Sequence, residues 1–446
     1  MTTHQDTSSR AKTKDSVRLT IESDTQKAIG HLHVTVPASV VNIIYREAAQ
    51  SQKHKVNPIG FSQETVPFEY IDEHYKTQLI EHLKEFILKY VVISFLYQEM
   101  RRQKIIAVGE PRLQAISLNF NEDARYSFEF TPVQINTSIR DWKYLPYKPP
   151  VRKKYKDIDK QAELFLTEEM EKEKKHIDTS TINVGDWVSF DVTLYDQNQK
   201  QLLSSNYKEN LWVHISNEET NFAYQELFVG KKKGDFFLTT DESIQEYFSS
   251  QIDTHYQFGV KIVDVLSQHY LSMLSFKEHF KIKSNRKVLQ KFVEVFSFRN
   301  DISLRRSMVE EALQLLIKTY PYDIPSSAIF RQQKLLLEHI QKNPDYMVYK
   351  KEPDFLEKIN SLATKQISEV IMIDRFAFQE NIQVSDEEVS NYLNLTKRNR
   401  TKEFIYFQHK SLRAQGTDFP ISSESLKQAC LREKTLNHIL YRLKKL

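Results

Sequence analysis

The chain has 446 residues, 40% of them hydrophobic and 27% charged, and at about 150 residues per domain this length predicts roughly three units. The balance excludes wholesale disorder and a membrane-embedded body. With 63 basic against 59 acidic residues the net charge is only +4. Attraction to a polyanion must therefore come from local clusters, and a general or sequence-specific nucleic-acid coat is excluded. The chain holds 8 glycines and one cysteine. The closest glycine pair, Gly230 and Gly234, lacks the Lys-Ser/Thr of a phosphate loop, so no nucleotide or other cofactor is expected. Cys430 alone makes neither an internal disulfide nor a thiolate metal cluster, which fits a reducing compartment. The polar start Met1-Thr2-Thr3-His4 has no apolar run after it, and the longest apolar stretch, 86–97, contains Lys89. That is far short of the 18 to 20 residues a span needs, so a soluble cytoplasmic protein without a membrane partner is the expectation.

Residues 1–16, rich in Thr, Ser and Lys, read as a frayed terminus. Alternation at 17–21 and 31–36 predicts two half-buried strands, and Pro37 then opens a helix over 38–52 with Val40, Val41, Ile44, Tyr45 and Ala48 on one face. A loop with Pro58, Gly60 and Pro67 follows, and helical spacing resumes to about residue 103. Strands at 113–120 and 126–130 close a small α+β unit, 17–132. Prolines 146, 149 and 150, a basic run at 152–156 and a Glu/Lys-dense helix make 133–180 a connector that packs on the helical region. Strands at 185–193, 211–215, 234–240 and 256–265 give a β-rich unit, 181–266. From 267 to 446 the pattern is helical, with amphipathic runs at 304–319, 326–341, 355–380, 385–395 and 423–443. Pro325 is placed in a first helical turn, and Ser385-Asp386-Glu387-Glu388 reads as a capping box. The fold class is α+β and multidomain.

This order of units resembles the bacterial trigger factor family, ATP-independent chaperones of the ribosomal exit. The likeness rests on Gly60-Phe61 followed by Pro67, on strands opening at Gly185-Asp186, on the Gly230 to Gly234 hairpin, and on Tyr322-Asp323-Ile324-Pro325 between two helices. It covers nearly all of 17–446. It implies that the first unit docks on the large ribosomal subunit near the exit tunnel, that the β-rich unit is a prolyl isomerase of FK506-binding type, and that helical arms hold nascent and unfolded polypeptides. Folding and export of clients follow from the same likeness, as does homodimerisation of free molecules.

The family's docking signature is Gly-Phe-Arg-x-Gly-x-x-Pro. This chain keeps Gly60, Phe61 and Pro67 and lacks the arginine and central glycine. Lys53 and Lys55 just upstream are the substitute charges for contacts with phosphate and acidic groups. For the isomerase pocket the resemblance implies Tyr224 as floor, with Tyr247 and Phe258 as further walls. Such a pocket acts by desolvating and twisting the prolyl imide. Asn221, Ala223 and Val192 depart from the family's pattern and argue against full turnover. The competing reading is an active isomerase whose helices only recruit substrate. For client capture the helical region offers Leu336, Leu337, Ile340, Met347, Phe376 and Phe378, adaptable apolar side chains at helical spacing. The pair His31-x-His33 has no adjacent carboxylate or cysteine in sequence, so no metal site is expected.

Overall fold

The computed structural model describes residues 16–24, 29–53, 55–56, 61, 66–133, 141–150, 156–176, 181–204, 206–216, 222–249, 255–267, 269–296, 303–396, 401–409, 413–414 and 417–444. Gly60 and Asn221, the stretch 1–15, and most of the basic run 152–156 lie outside them.

Strands β1 (Arg18–Asp24), β2 (Ile29–Val36), β3 (Arg112–Ser117) and β4 (Ala124–Phe130) form an antiparallel sheet in the order β1-β2-β4-β3. Strand β2 alternates in burial, with Leu32, Val34 and Val36 facing inward. This is the period of two that its sequence carries. Against that face lie α1 (Ala38–Lys53) and α2 (Phe68–Ile87), which bury Val41, Ile44 and Tyr45 from one helix and Ile71, Leu79 and Leu83 from the other. The long helix expected up to residue 103 is interrupted. A π-turn at Leu88–Val92 separates α2 from α3 (Ile93–Arg102).

Beyond the connector helix α4 (Lys156–Lys175), strands β5 (Trp187–Tyr195), β6 (Glu209–His214), β7 (Phe236–Thr239) and β8 (Gln257–Leu266) make the second sheet. Two short helices, α5 (Phe222–Phe228) and α6 (Glu242–Phe248), pack on it. The sheet order is β11-β6-β5-β8-β7, all antiparallel, and its outer strand β11 (Ile421–Ser422) comes from the C-terminal region. A two-residue strand has no readable periodicity, so this crossover was invisible in the sequence.

The helical region comprises α7 (Met273–His279), α8 (Asn285–Val295), α9 (Leu304–Thr319), α10 (Ser326–Ile340), α11 (Tyr346–Tyr349), α12 (Phe355–Gln379), α13 (Asp386–Thr396) and α14 (Ser423–Leu443), with the short strands β9 (Arg413–Ala414) and β10 (Thr417–Asp418) before α14. The capping box forms reciprocally. Ser385 Oγ accepts from Glu388 N at 3.3 Å, and Glu388 Oε2 accepts from Ser385 N at 3.0 Å. Pro325 sits one position earlier than expected, at the N-cap of α10. Its fixed φ and missing N–H suit that place as well. The connector is tied down by aromatic contacts: Phe165 of α4 lies 5.5 Å from Phe292 and 5.6 Å from Phe296, and Trp142 meets Phe376 edge-on at 5.0 Å. Among the buried groups of this region, Arg305 and Glu433 pair at 3.4 Å, and the Glu433 carboxylate also accepts from the backbone N–H groups of Tyr406 and Phe407.

Candidate functional site

Three surfaces bear on function. The first is the connection between α1 and α2. Helix α1 ends at Lys53, which is half-buried, while Lys55 is exposed. Pro67 caps α2, buried Val66 anchors the chain beside it, and Phe61 is 42% exposed with its ring 5.9 Å from Tyr70. An exposed aromatic ring and an exposed lysine thus lie on the connection between two packed helices.

The second is the β-rich unit, where the three aromatic residues expected around the isomerase pocket are buried or half-buried. Tyr224 is buried, and its hydroxyl donates to the Ser243 carbonyl at 3.0 Å. Phe258 is fully buried, and Tyr247 is half-buried, edge-on to Phe248 at 4.9 Å. The space before Phe258 is taken by the first unit. Phe86 of α2 lies 4.4 Å from Tyr256, 5.6 Å from Phe248 and 6.5 Å from Phe258. Tyr90 stands edge-on to Phe248 at 5.3 Å and donates its hydroxyl to the Tyr207 carbonyl at 2.9 Å. His82 bridges the Tyr256 hydroxyl at 2.9 Å and Ser249 Oγ at 3.0 Å. Ser94 Oγ donates to Oε1 of the Glu209 carboxyl at 2.6 Å.

Burial sets the charge states at this seam. Desolvation lowers the His82 imidazole to about 4, against a smaller upward pull from Glu85, so the ring is neutral near pH 7. Desolvation raises the Glu209 carboxyl to about 8, opposed by the Ser94 hydrogen bond and aided by Asp191. Both groups sit uncharged between the two units at neutral pH, as a dry interface requires. His82, Phe86, Tyr90 and Ser94 are not marked as a set by any motif in the sequence. Their regular spacing of four, with two polar residues on an otherwise apolar face, was the available signal.

The third surface is the hairpin of α10 and α12, tipped by α11. In α10 only Ala328 is fully buried. The first part of α12 is exposed, whereas 367–377 is mostly core. Two side-chain bonds, Gln332 to Gln366 at 2.8 Å and Gln333 to Asn360 at 2.6 Å, hold the antiparallel pair. Of the expected client-binding residues, Met347 is 65% exposed, and Leu336, Leu337 and Ile340 are half-buried along the arm. Phe376 and Phe378 are corrections. Phe376 is wholly buried against Trp142, and Phe378 packs at the arm's base beside Ile106 and Val108 of the first unit. Periodicity marked both as apolar but not which surface covers them. The arm instead exposes Phe330 (67%), Leu335 (52%), Val348 (66%) and Leu356 (69%). More apolar residues than one buried stripe needs was the signal for them.

Residues 18–164 match the family model described as bacterial trigger factor protein, and residues 286–440 match the model for its C-terminus. The chain belongs to the trigger factor family. Curated trigger factors from Geotalea daltonii and Chlamydia pneumoniae are each 20% identical to it. The first alignment covers 80% of this chain and 81% of the relative, the second 82% and 84%. The trigger factor of Caldicellulosiruptor saccharolyticus is 29% identical over 105 residues, 21% of this chain and 24% of that one. A solved structure reported for promiscuous substrate recognition by the trigger factor chaperone shares 16% identity at a TM-score of 0.36, covering 96% of this chain and all of that one. Between the two trigger factor models lies 165–285, the stretch that holds β5–β8. Among the described residues no helix is long and apolar enough to cross a membrane, and no three His, Cys, Asp or Glu residues group as a metal site.

Proposed function

We propose that this trigger factor family member is a nucleotide-independent, ribosome-associated chaperone that shelters nascent chains on the apolar arm of α10, α11 and α12. One observation carries the reading: Phe330, Met347, Val348 and Leu356 are each at least 65% exposed on the helical hairpin, where burying them against a client adds about 0.8 kcal/mol per methylene without fixed register. Helix α10 alone has 15 residues, about 22 Å of rise, enough to span several residues of an extended client. Docking at the large subunit is assigned to Phe61, Pro67 and Gly60 with Lys53 and Lys55, which supply an aromatic wedge and local positive charge. Tethering there raises the effective concentration of the arm around emerging segments, so weak contacts suffice, and release follows as the client buries its own apolar groups. The β-rich unit is assigned as isomerase-type, with Tyr224, Tyr247 and Phe258 around its pocket. Their burial favours the chaperone over the reading in which helices merely recruit substrate for an open isomerase. The test is suppression of aggregation of a denatured client by the purified chain, with Phe330, Met347 and Leu356 replaced by serine. Full suppression by the variant would remove the arm as the client surface.

A further inference from the structure

Helix α2, the π-turn after it and the start of α3 together present a ridge to the β-rich unit, made by His82, Phe86, Tyr90 and Ser94. His82 meets Tyr256 and Ser249, Phe86 meets Phe248, Tyr256 and Phe258, Tyr90 meets Phe248 and the Tyr207 carbonyl, and Ser94 meets Glu209. In an ideal α-helix a spacing of four advances by about 40° beyond a full turn, so four such residues would wind off the contact. The π-turn at Leu88–Val92 falls between Phe86 and Ser94. Its wider turn takes back part of that drift and keeps Tyr90 and Ser94 aimed at the same unit. The backbone is thus shaped to this interface. Opposite the ridge stand aromatic walls with hydrogen-bonding groups at the edge, Tyr207 O and the Glu209 carboxyl. Those features accept a ring-bearing apolar segment with polar groups beside it, which is what the ridge itself supplies.

We propose that this ridge is an intramolecular stopper, closing the aromatic groove of the β-rich unit to a ring-bearing peptide until α2 is lifted. The inference rests on reading that unit as isomerase-type, and it concerns the regulation of that site. Helix α2 begins directly after Pro67, where the docking connection ends, so a partner that moves one end of this helix acts on the groove at the other.

The experiment uses the full chain and a fluorescein-labelled Ala-Leu-Pro-Phe peptide. Ser94→Glu sets a longer, ionisable side chain against the buried Glu209 carboxyl and pushes the ridge away without touching the aromatic walls. Phe86→Ala removes the central plug and serves as the second variant. Binding is read by anisotropy, prolyl exchange by NMR, and integrity by retained hydrogen-exchange protection of β5 and β8. Both variants are expected to bind the peptide at least tenfold more tightly than the unaltered chain. Equal binding by the unaltered chain overturns the stopper, as does faster exchange over 82–94 without any gain in binding. Tighter binding with no faster prolyl exchange keeps the stopper and removes the isomerase reading, so the two failures are separable.

Discussion

Replacing Glu209 by glutamine tests the charge state of the seam between the first and second units. The Glu209 carboxyl is 2% exposed and burial raises it to about 8 from an ordinary 4.5. A carboxyl raised by folding contributes stability that is complete below its unfolded value and lost as pH climbs through the folded one. At about 1.4 kcal/mol per pH unit, about 5 kcal/mol is lost between pH 4.5 and 8, roughly 2 kcal/mol of it above pH 6.5. His82 has the opposite sense. Its folded value of about 4 lies below the ordinary 6.5, so its contribution is complete above 6.5 and about 3 kcal/mol is lost as pH falls toward 4. The two slopes cancel between pH 4.5 and 6.5, leaving a net weakening of the seam from 6.5 to 8. Glutamine keeps an oxygen to accept from Ser94 and does not ionise. Glu209→Gln should therefore abolish the fall above pH 6.5 and leave a fall below it. Hydrogen exchange of the α3 and β6 amides, corrected for the intrinsic pH dependence of exchange, measures the opening free energy. Parallel profiles for the two chains between pH 6.5 and 8 would refute the reasoning.

Other outcomes follow from the same structure. Reversing Lys53 and Lys55 to glutamate should weaken ribosome co-sedimentation and lower its salt slope by about 2, on the rule of about one per lost phosphate contact; an unchanged slope rules this flank out as the docking surface. The triple serine variant of Phe330, Met347 and Leu356 should leave the melting temperature nearly unchanged, because these side chains are exposed. Client affinity should fall by on the order of 1 kcal/mol per side chain, read by aggregation kinetics. Glu433→Ala leaves the Arg305 guanidinium buried without its carboxylate and should cost about 3 to 5 kcal/mol in urea unfolding of the helical region. The double change Arg305→Met with Glu433→Leu should cost less, and equal costs would argue against the pair as the cause.

Local rules determined much of this protein from the sequence alone. The helices Leu304–Thr319 and Ser423–Leu443 fall where the apolar spacing placed them, the Ser385 capping box forms as its residue types require, and the mixed α+β class follows from alternating and helical periods. Those signals are short-range, carried by residues within a turn or two of one another. Tertiary structure decided which surface covers each apolar face. Phe86 and Phe376 look alike in periodicity to Phe330, yet Phe86 packs on Tyr256 more than 150 residues away in sequence, Phe376 is covered by Trp142, and Phe330 faces solvent. Spacing fixes the direction of a side chain relative to its own helix. Only long-range packing supplies what stands opposite, and with it the aromatic seam, the exposed arm and the strand β11 that joins a sheet formed some 200 residues earlier.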